Sequence, residues 1–224
     1  ASFMASPVSM ETKAVYPIET YGSAMAPFYT VLAIWVGALI LVALIHVKVA
    51  LVENLKVRPW QAFFGRYITF FLIGQAQTAI TVLGDLFYVD IQCPHPFLFW
   101  LASAASSFVF TLLIYSLTVA MGNVGEAVAV IVMVIQVAGA GGTFPIEVLP
   151  EVYQMIYKFL PFTYCMNALR ECVGGLYKND YWMDLRALGI YILISLFIGL
   201  VVAVPLRRLN KVIERSKEKS KVML

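Results

Sequence analysis

Chemistry done by carboxylates needs two of them on one face, sharing or relaying a proton. In this chain Gly84-Asp85 is one candidate, and the nearest second acid, Asp90, lies five residues further on. At roughly 100° per helical residue the two acids point about 140° apart and cannot form a proton-sharing dyad. The GxGD motif of intramembrane aspartyl proteases also needs glycine where Val82 stands. Other catalytic signatures are missing: there is no HExxH zinc helix, no GxxxxGK[ST] phosphate loop and no Gly-x-Ser elbow. Cys93, Cys165 and Cys172 are an odd set with no zinc or iron–sulfur spacing. The expectation is a chain without catalytic residues, metal or cofactor; an enzymatic reading would rest on Asp85 alone.

The remaining polar residues of the hydrophobic stretches are uncharged: Gln75, Gln77, Thr78 and Thr81, then Ser103, Ser106 and Ser107, then Gln136. Two readings stay open. Such amides and hydroxyls brace helix–helix contacts, contributing about 0.6 to 2 kcal/mol each. Alternatively Gln75, Gln77 and Gln136 line a path for an amphiphilic substrate. No carboxylate or base stands at the middle of a stretch, so ion coupling is not expected. The small residues Ala102, Ala104, Ala105 and Ser106 permit close packing and dimerisation.

These residues sit in a very greasy chain. Of 224 residues 61% are hydrophobic and 13% charged, against about 45–50% and 25% in soluble domains. That leaves too little polar surface for a water-soluble globule and too little charge for disorder. The chain reads as an all-α integral membrane protein with five spans, about 27–47, 67–88, 97–121, 127–141 and 187–206. The fourth, ending in AGAGGTFP, is short for a full crossing of about 20 residues. Net charge is only +3, but eleven of the sixteen lysines and arginines fall in 48–66 and 207–224. The positive-inside rule then places those segments in the cytoplasm and 1–26, 89–96 and 142–186 outside. His46 and His95 fall on opposite sides.

The connections carry patterns of their own. Residues 1–26 alternate around Val8, Met10 and Tyr16, as an extended end of an external domain would. The first residue is alanine and no signal peptide is evident, so the chain is expected to begin part-way through a longer precursor. Loop 48–66 combines Lys56 and Arg58 with Pro59, Trp60, Phe63 and Phe64, a short amphipathic helix at the membrane surface. It serves either as an anchor or as a docking helix that passes motion to a cytoplasmic partner. Stretch 142–184 is punctuated by Pro145, Pro150 and Pro161. Val152, Met155, Ile156 and Phe159 form one apolar stripe, and Met166, Leu169, Val173 and Leu176 another, beside Arg170 and Glu171. A hairpin dipping into the outer leaflet and a superficial helix pair both fit. The tail 207–224 is a basic helix end suited to anionic lipid headgroups, with no nucleic-acid role.

In order, the chain presents YGSAMAPFY before a span, a basic helix, two spans, a short span ending in GGTFPIEVLP, then PFTYCMNALRE and a last span with a basic tail. Over about residues 15–210 this resembles the membrane domain of ABC-2 type transporters, most closely the phage infection protein (YhgE/Pip) family. The most specific stretches are Tyr21-Gly22-Ser23 with Ala26-Pro27, Gly141 to Glu147 with Phe144, and Leu160 to Tyr164 with Ala168 to Glu171. The resemblance implies a six-span bundle whose first span and external domain precede this chain, a bacterial plasma-membrane location and a working homodimer. It makes loop 48–66 a coupling helix presented to a separate ATPase. It makes the stretch with Gly141, Gly142, Phe144, Pro145, Pro150, Pro161, Phe162, Arg170 and Glu171 an external re-entrant hairpin. The expected function is the membrane-spanning part of an exporter for an amphiphilic, lipid-linked or peptide substrate. A non-transporting scaffold or receptor, displaying an external domain to phage or a secretion apparatus, is the alternative.

Overall fold

The computed structural model describes residues 18, 20–47, 58–142 and 146–206. Among them the chain forms seven α-helices and no strand: α1 (Tyr21–Leu44), α2 (Pro59–Leu83), α3 (Pro96–Met121), α4 (Asn123–Gly139), α5 (Glu151–Ile156), α6 (Pro161–Gly174) and α7 (Asp180–Leu196). α2 runs on through a π-helical turn, Gly84–Tyr88, and α7 through another, Phe197–Val202. Four of these starts have a local cause. Thr20 Oγ1 accepts the amide of Ser23 at α1. Pro59, Pro96 and Pro161 occupy the first turn of α2, α3 and α6, where a missing amide proton costs nothing.

Among the described residues four helices are long and apolar enough to cross a membrane: Tyr21–Leu44, Pro59–Tyr88, Pro96–Met121 and Asp180–Leu206. α4, with 17 residues, reaches about 26 Å, short of the ~30 Å hydrocarbon core. α3 is the axis of the bundle, packed against α1, α2, α4, α6 and α7. Lipid tails are as apolar as leucine, so helix association here depends on fit and interhelical hydrogen bonds. Trp35 of α1 sets its edge on Phe110 of α3, centroids 4.7 Å apart. Tyr115 of α3 stacks among Phe63, Tyr67 and Phe70 of α2 and donates its hydroxyl to the Phe63 carbonyl at 2.9 Å. Outward, Leu72, Ile80, Leu193, Phe197 and Val201 are more than half exposed, as lipid-facing side chains must be.

Several boundaries differ from the sequence expectation. α1 begins at Tyr21, so residues 21–26 belong to the first span and not to a preceding domain, and Pro27 lies inside the helix. Residues 59–66 are no separate interfacial helix; they are the first turns of α2 and continue into it unbroken. The expected loop 122–126 shrinks to Gly122, which caps both α3 and α4 at φ 61°, a backbone region where glycine alone is unstrained. α7 starts at Asp180, not Ala187, because its first turns carry Asp180, Asp184 and Arg186 and look like loop. The extended pattern in 1–17, most of loop 48–57 with Lys56, the Phe144-Pro145 pair and the tail 207–224 lie outside the described residues.

Candidate functional site at the hairpin end of the bundle

The irregular stretch after α4 is built into the bundle. In α6, Phe162, Cys165, Met166, Ala168, Leu169, Cys172 and Val173 are completely buried, packed by α1, α3 and α7. α6 is thus enclosed by its neighbours on all sides, with no open apolar face. The stripe of α5 behaves differently: Val152, Met155 and Phe159 point outward, mostly exposed. Pro150 caps α5 and is exposed.

Two contacts clasp α6 to the broken end of α4. The Phe162 amide, in the first turn of α6, donates to Gln136 Oε1 at 3.2 Å. That satisfies one of the amides a helix start leaves unpaired. Arg170, half-buried on α6, donates through Nη2 to the Gly141 carbonyl at 2.9 Å and to that of Gly142 at 3.4 Å. A cation there meets both the unpaired carbonyls and the negative end of the α4 dipole. Burial lowers the guanidinium pKa from its ordinary value, a cost offset by those carbonyls. Gly142 has no room for a side chain: a Cβ would stand 2.1 Å from the Phe28 ring of α1, which also meets Phe162 edge-on at 5.7 Å.

Further ties hold the same end. Cys93, in the loop between α2 and α3, donates its thiol to the Cys172 carbonyl at 3.6 Å. The Gln92 amide donates to Ser23 Oγ at 2.9 Å. Thr30 Oγ1 on α1 lies 2.6 Å from Asp85 Oδ2 in the π turn. Glu171, only 7% exposed, accepts the Tyr177 amide at 2.7 Å and so fixes the turn from α6 into α7. Between the starts of α1 and α7 and the body of α6 lies a cavity of about 450 Å³, walled by Pro27, Arg170, Glu171, Asp180, Met183 and Asp184 among others. Sequence reasoning missed Asp180 and Asp184; their i, i+4 spacing, one face of a helix, was the available signal.

Two of the expected path residues, Gln75 and Gln136, make hydrogen bonds between helices. Gln75 Nε2 donates to the Ala104 carbonyl of α3 at 3.1 Å. Gln136 is fully buried and uses its oxygen on α6. Gln77 of α2 meets Gly37 of α1, its Oε1 3.1 Å from where a Cβ on that glycine would stand.

At the opposite, basic end, Arg58 and Pro59 are exposed at the start of α2, with Trp60 and Phe64 also open. Phe63 is not: it is buried against Tyr115 and belongs to the core. Arg66 donates through Nε to the His46 carbonyl at the end of α1 at 2.8 Å. A second cavity of about 370 Å³ opens there, lined by His46, Asn123 and Glu126 among others. Among the described residues no group of three or more His, Cys, Asp or Glu side chains is placed to hold a metal ion.

The helices link a polar, clasped end to an open aromatic end. Comparison with known proteins gives the family. A family described as "ABC-2 family transporter protein" matches residues 3–202. The uncharacterized protein YhgE of Bacillus subtilis (strain 168) is 29% identical over 192 residues, which are 86% of this chain and 24% of YhgE. The chain thus spans about a quarter of that relative's length. No solved structure matches it. This multi-pass, all-helical membrane protein belongs to the ABC-2 family of transporter proteins.

Proposed function

We propose that the chain is the membrane-spanning part of an exporter, moving an amphiphilic, lipid-linked or peptide substrate under the drive of a separate ATPase subunit. It works as two copies in a bacterial plasma membrane, with the hairpin end outside and the basic end in the cytoplasm. The family match is the ground for transport. The observation that carries the mechanism is the continuity of α2. Arg58, Trp60 and Phe64 are displayed on its first turns, and the same helix runs through Tyr88, about 45 Å away at 1.5 Å per residue. A partner that pushes on those residues therefore moves a rigid rod whose far end holds Asp85 against Thr30 of α1. The chain itself supplies no hydrolytic residue; it converts a push at one end into a rearrangement at the other.

Reconstitution with candidate ATPases tests this. Arg58→Ala with Trp60→Ala is expected to abolish stimulated ATP hydrolysis and substrate export, leaving the melting temperature and surface display unchanged. Absence of any associating ATPase, or hydrolysis indifferent to these substitutions, would replace the exporter with a non-transporting scaffold or receptor.

A further inference from the structure

We propose that the π turn of α7 is a register switch worked by Phe63. While the Phe63 ring stands against Gly199 the turn stays wide. When the ring withdraws, α7 closes into a continuous α-helix and its end rotates about the helix axis. The turn, Phe197–Val202, packs on α2 and α3, and the Ala203 amide reaches the Ile198 carbonyl, five residues back. Such turns are rare in helices and collect at functional positions.

Side-chain size accounts for the wide turn. Ser195 is buried on the inner face of α7. An α-helix continued from it at about 100° per residue would point Val202 within about 20° of that direction, with Ile198 about 60° to one side and Gly199 about 40° to the other. The wider turn brings residues four apart into line, so Gly199 and Ala203 follow Ser195 inward. Both are buried, while Ile198 and Val202 are half-buried. Two small residues thus replace two β-branched ones on the packed face. Phe63 requires this, since a Cβ on Gly199 would stand 2.4 Å from its Cε2 and 2.9 Å from Ser116 Oγ of α3.

Two further observations point to a second register. Ser116 Oγ is buried beside Gly199 without a hydrogen-bond partner among the described residues, so the present register leaves a polar atom unsatisfied. Pro205, in the helical stretch that follows the turn, has no amide proton to donate, so neither register gains a bond from it. The trigger rests on the docking reading above. Phe63 lies between exposed Trp60 and Phe64 on the first turns of α2, and a partner drawing that end of α2 aside withdraws the ring and admits Val202.

Nitroxide labels on Val202→Cys or Val204→Cys, in a full chain otherwise free of cysteine and held in lipid nanodiscs, read the register through collision with dissolved oxygen. No ATPase is needed, so the outcome is independent of the exporter reading. Closing the turn gives each residue beyond it the direction its successor held: position 202 turns inward, and position 204, now half exposed, turns further out. Phe63→Ala is therefore expected to lower oxygen access at 202 and raise it at 204. Phe63→Leu, which keeps an apolar chain without the ring, should shift both in the same directions, and it decides the matter if the alanine variant fails to fold. Unchanged access at both positions would mean that Pro205 alone widens the turn, and an opposite shift that Phe63 does not hold it open; either result overturns the proposal.

Discussion

Replacing Arg170 by alanine removes the hydrogen bonds to Gly141 and Gly142 and the positive charge at the end of α4. A hydrogen bond from a charged donor contributes about 1.5–3 kcal/mol, and a partly buried cation at a helix C-terminus about 0.3–2 kcal/mol. The two overlap, because the same guanidinium supplies both, so the expected loss is about 2–4 kcal/mol. Arg170→Lys keeps the charge without the planar fork and should recover about 1 kcal/mol. Arg170→Met keeps most of the side chain's bulk alone and should fall with alanine. Unfolding in mixed micelles, followed through the fluorescence of buried Trp35, gives the free energies. If Arg170→Ala stays within about 0.5 kcal/mol of the parent, or lysine is no better than methionine, the clasp does not hold the hairpin end.

Gly125→Ala would put a methyl carbon 2.2 Å from the Leu117 backbone oxygen, which no side-chain rotation relieves. That variant is expected to lose its monodisperse peak in size-exclusion chromatography, whereas Gly22→Ala, with nothing within 4 Å, keeps it. Gln136→Leu leaves the Phe162 amide without its Gln136 acceptor but also removes the buried Gln136 Nε2, which has no partner among the described residues. The opposed effects, about 1–3 kcal/mol each, should nearly cancel in unfolding titrations, while Gln136→Ala adds a void and destabilises by about 2 kcal/mol or more. Tyr115→Phe, losing the bond to Phe63, should cost about 0.5–1.5 kcal/mol in the same titration.

Apolar length made the four long helices legible, and the AGAGG run marked where α4 stops. Helix starts were obscured wherever the first turn was polar. Asp180 to Arg186 read as loop because charge hides periodicity, and Pro59 to Arg66 read as a surface helix because aromatic and basic residues mix there. The burial of α6 was equally hidden. Arg170 and Glu171 give it the look of an interfacial helix, yet each finds a partner that sequence cannot name: glycine carbonyls for one, the Tyr177 amide for the other. Gln75 and Gln136 illustrate the same limit. Their residue type showed that they would hydrogen-bond across helices or face a path, and only the packing of α3 and α6 supplies the particular partners. Among the residues expected to couple to a partner, Phe63 could not be told from Phe64 without knowing which face of α2 meets Tyr115.

Site-specific labelling in intact cells tests the arrangement in the membrane most directly. In a cysteine-free variant carrying Lys178→Cys, in the turn between α6 and α7, a membrane-impermeant maleimide should react from outside. In the matching variant with Lys217→Cys, reaction should appear only after the cells are permeabilised. Labelling of position 217 in intact cells with protection of position 178 would invert the bundle, place the clasped hairpin in the cytoplasm and contradict the account.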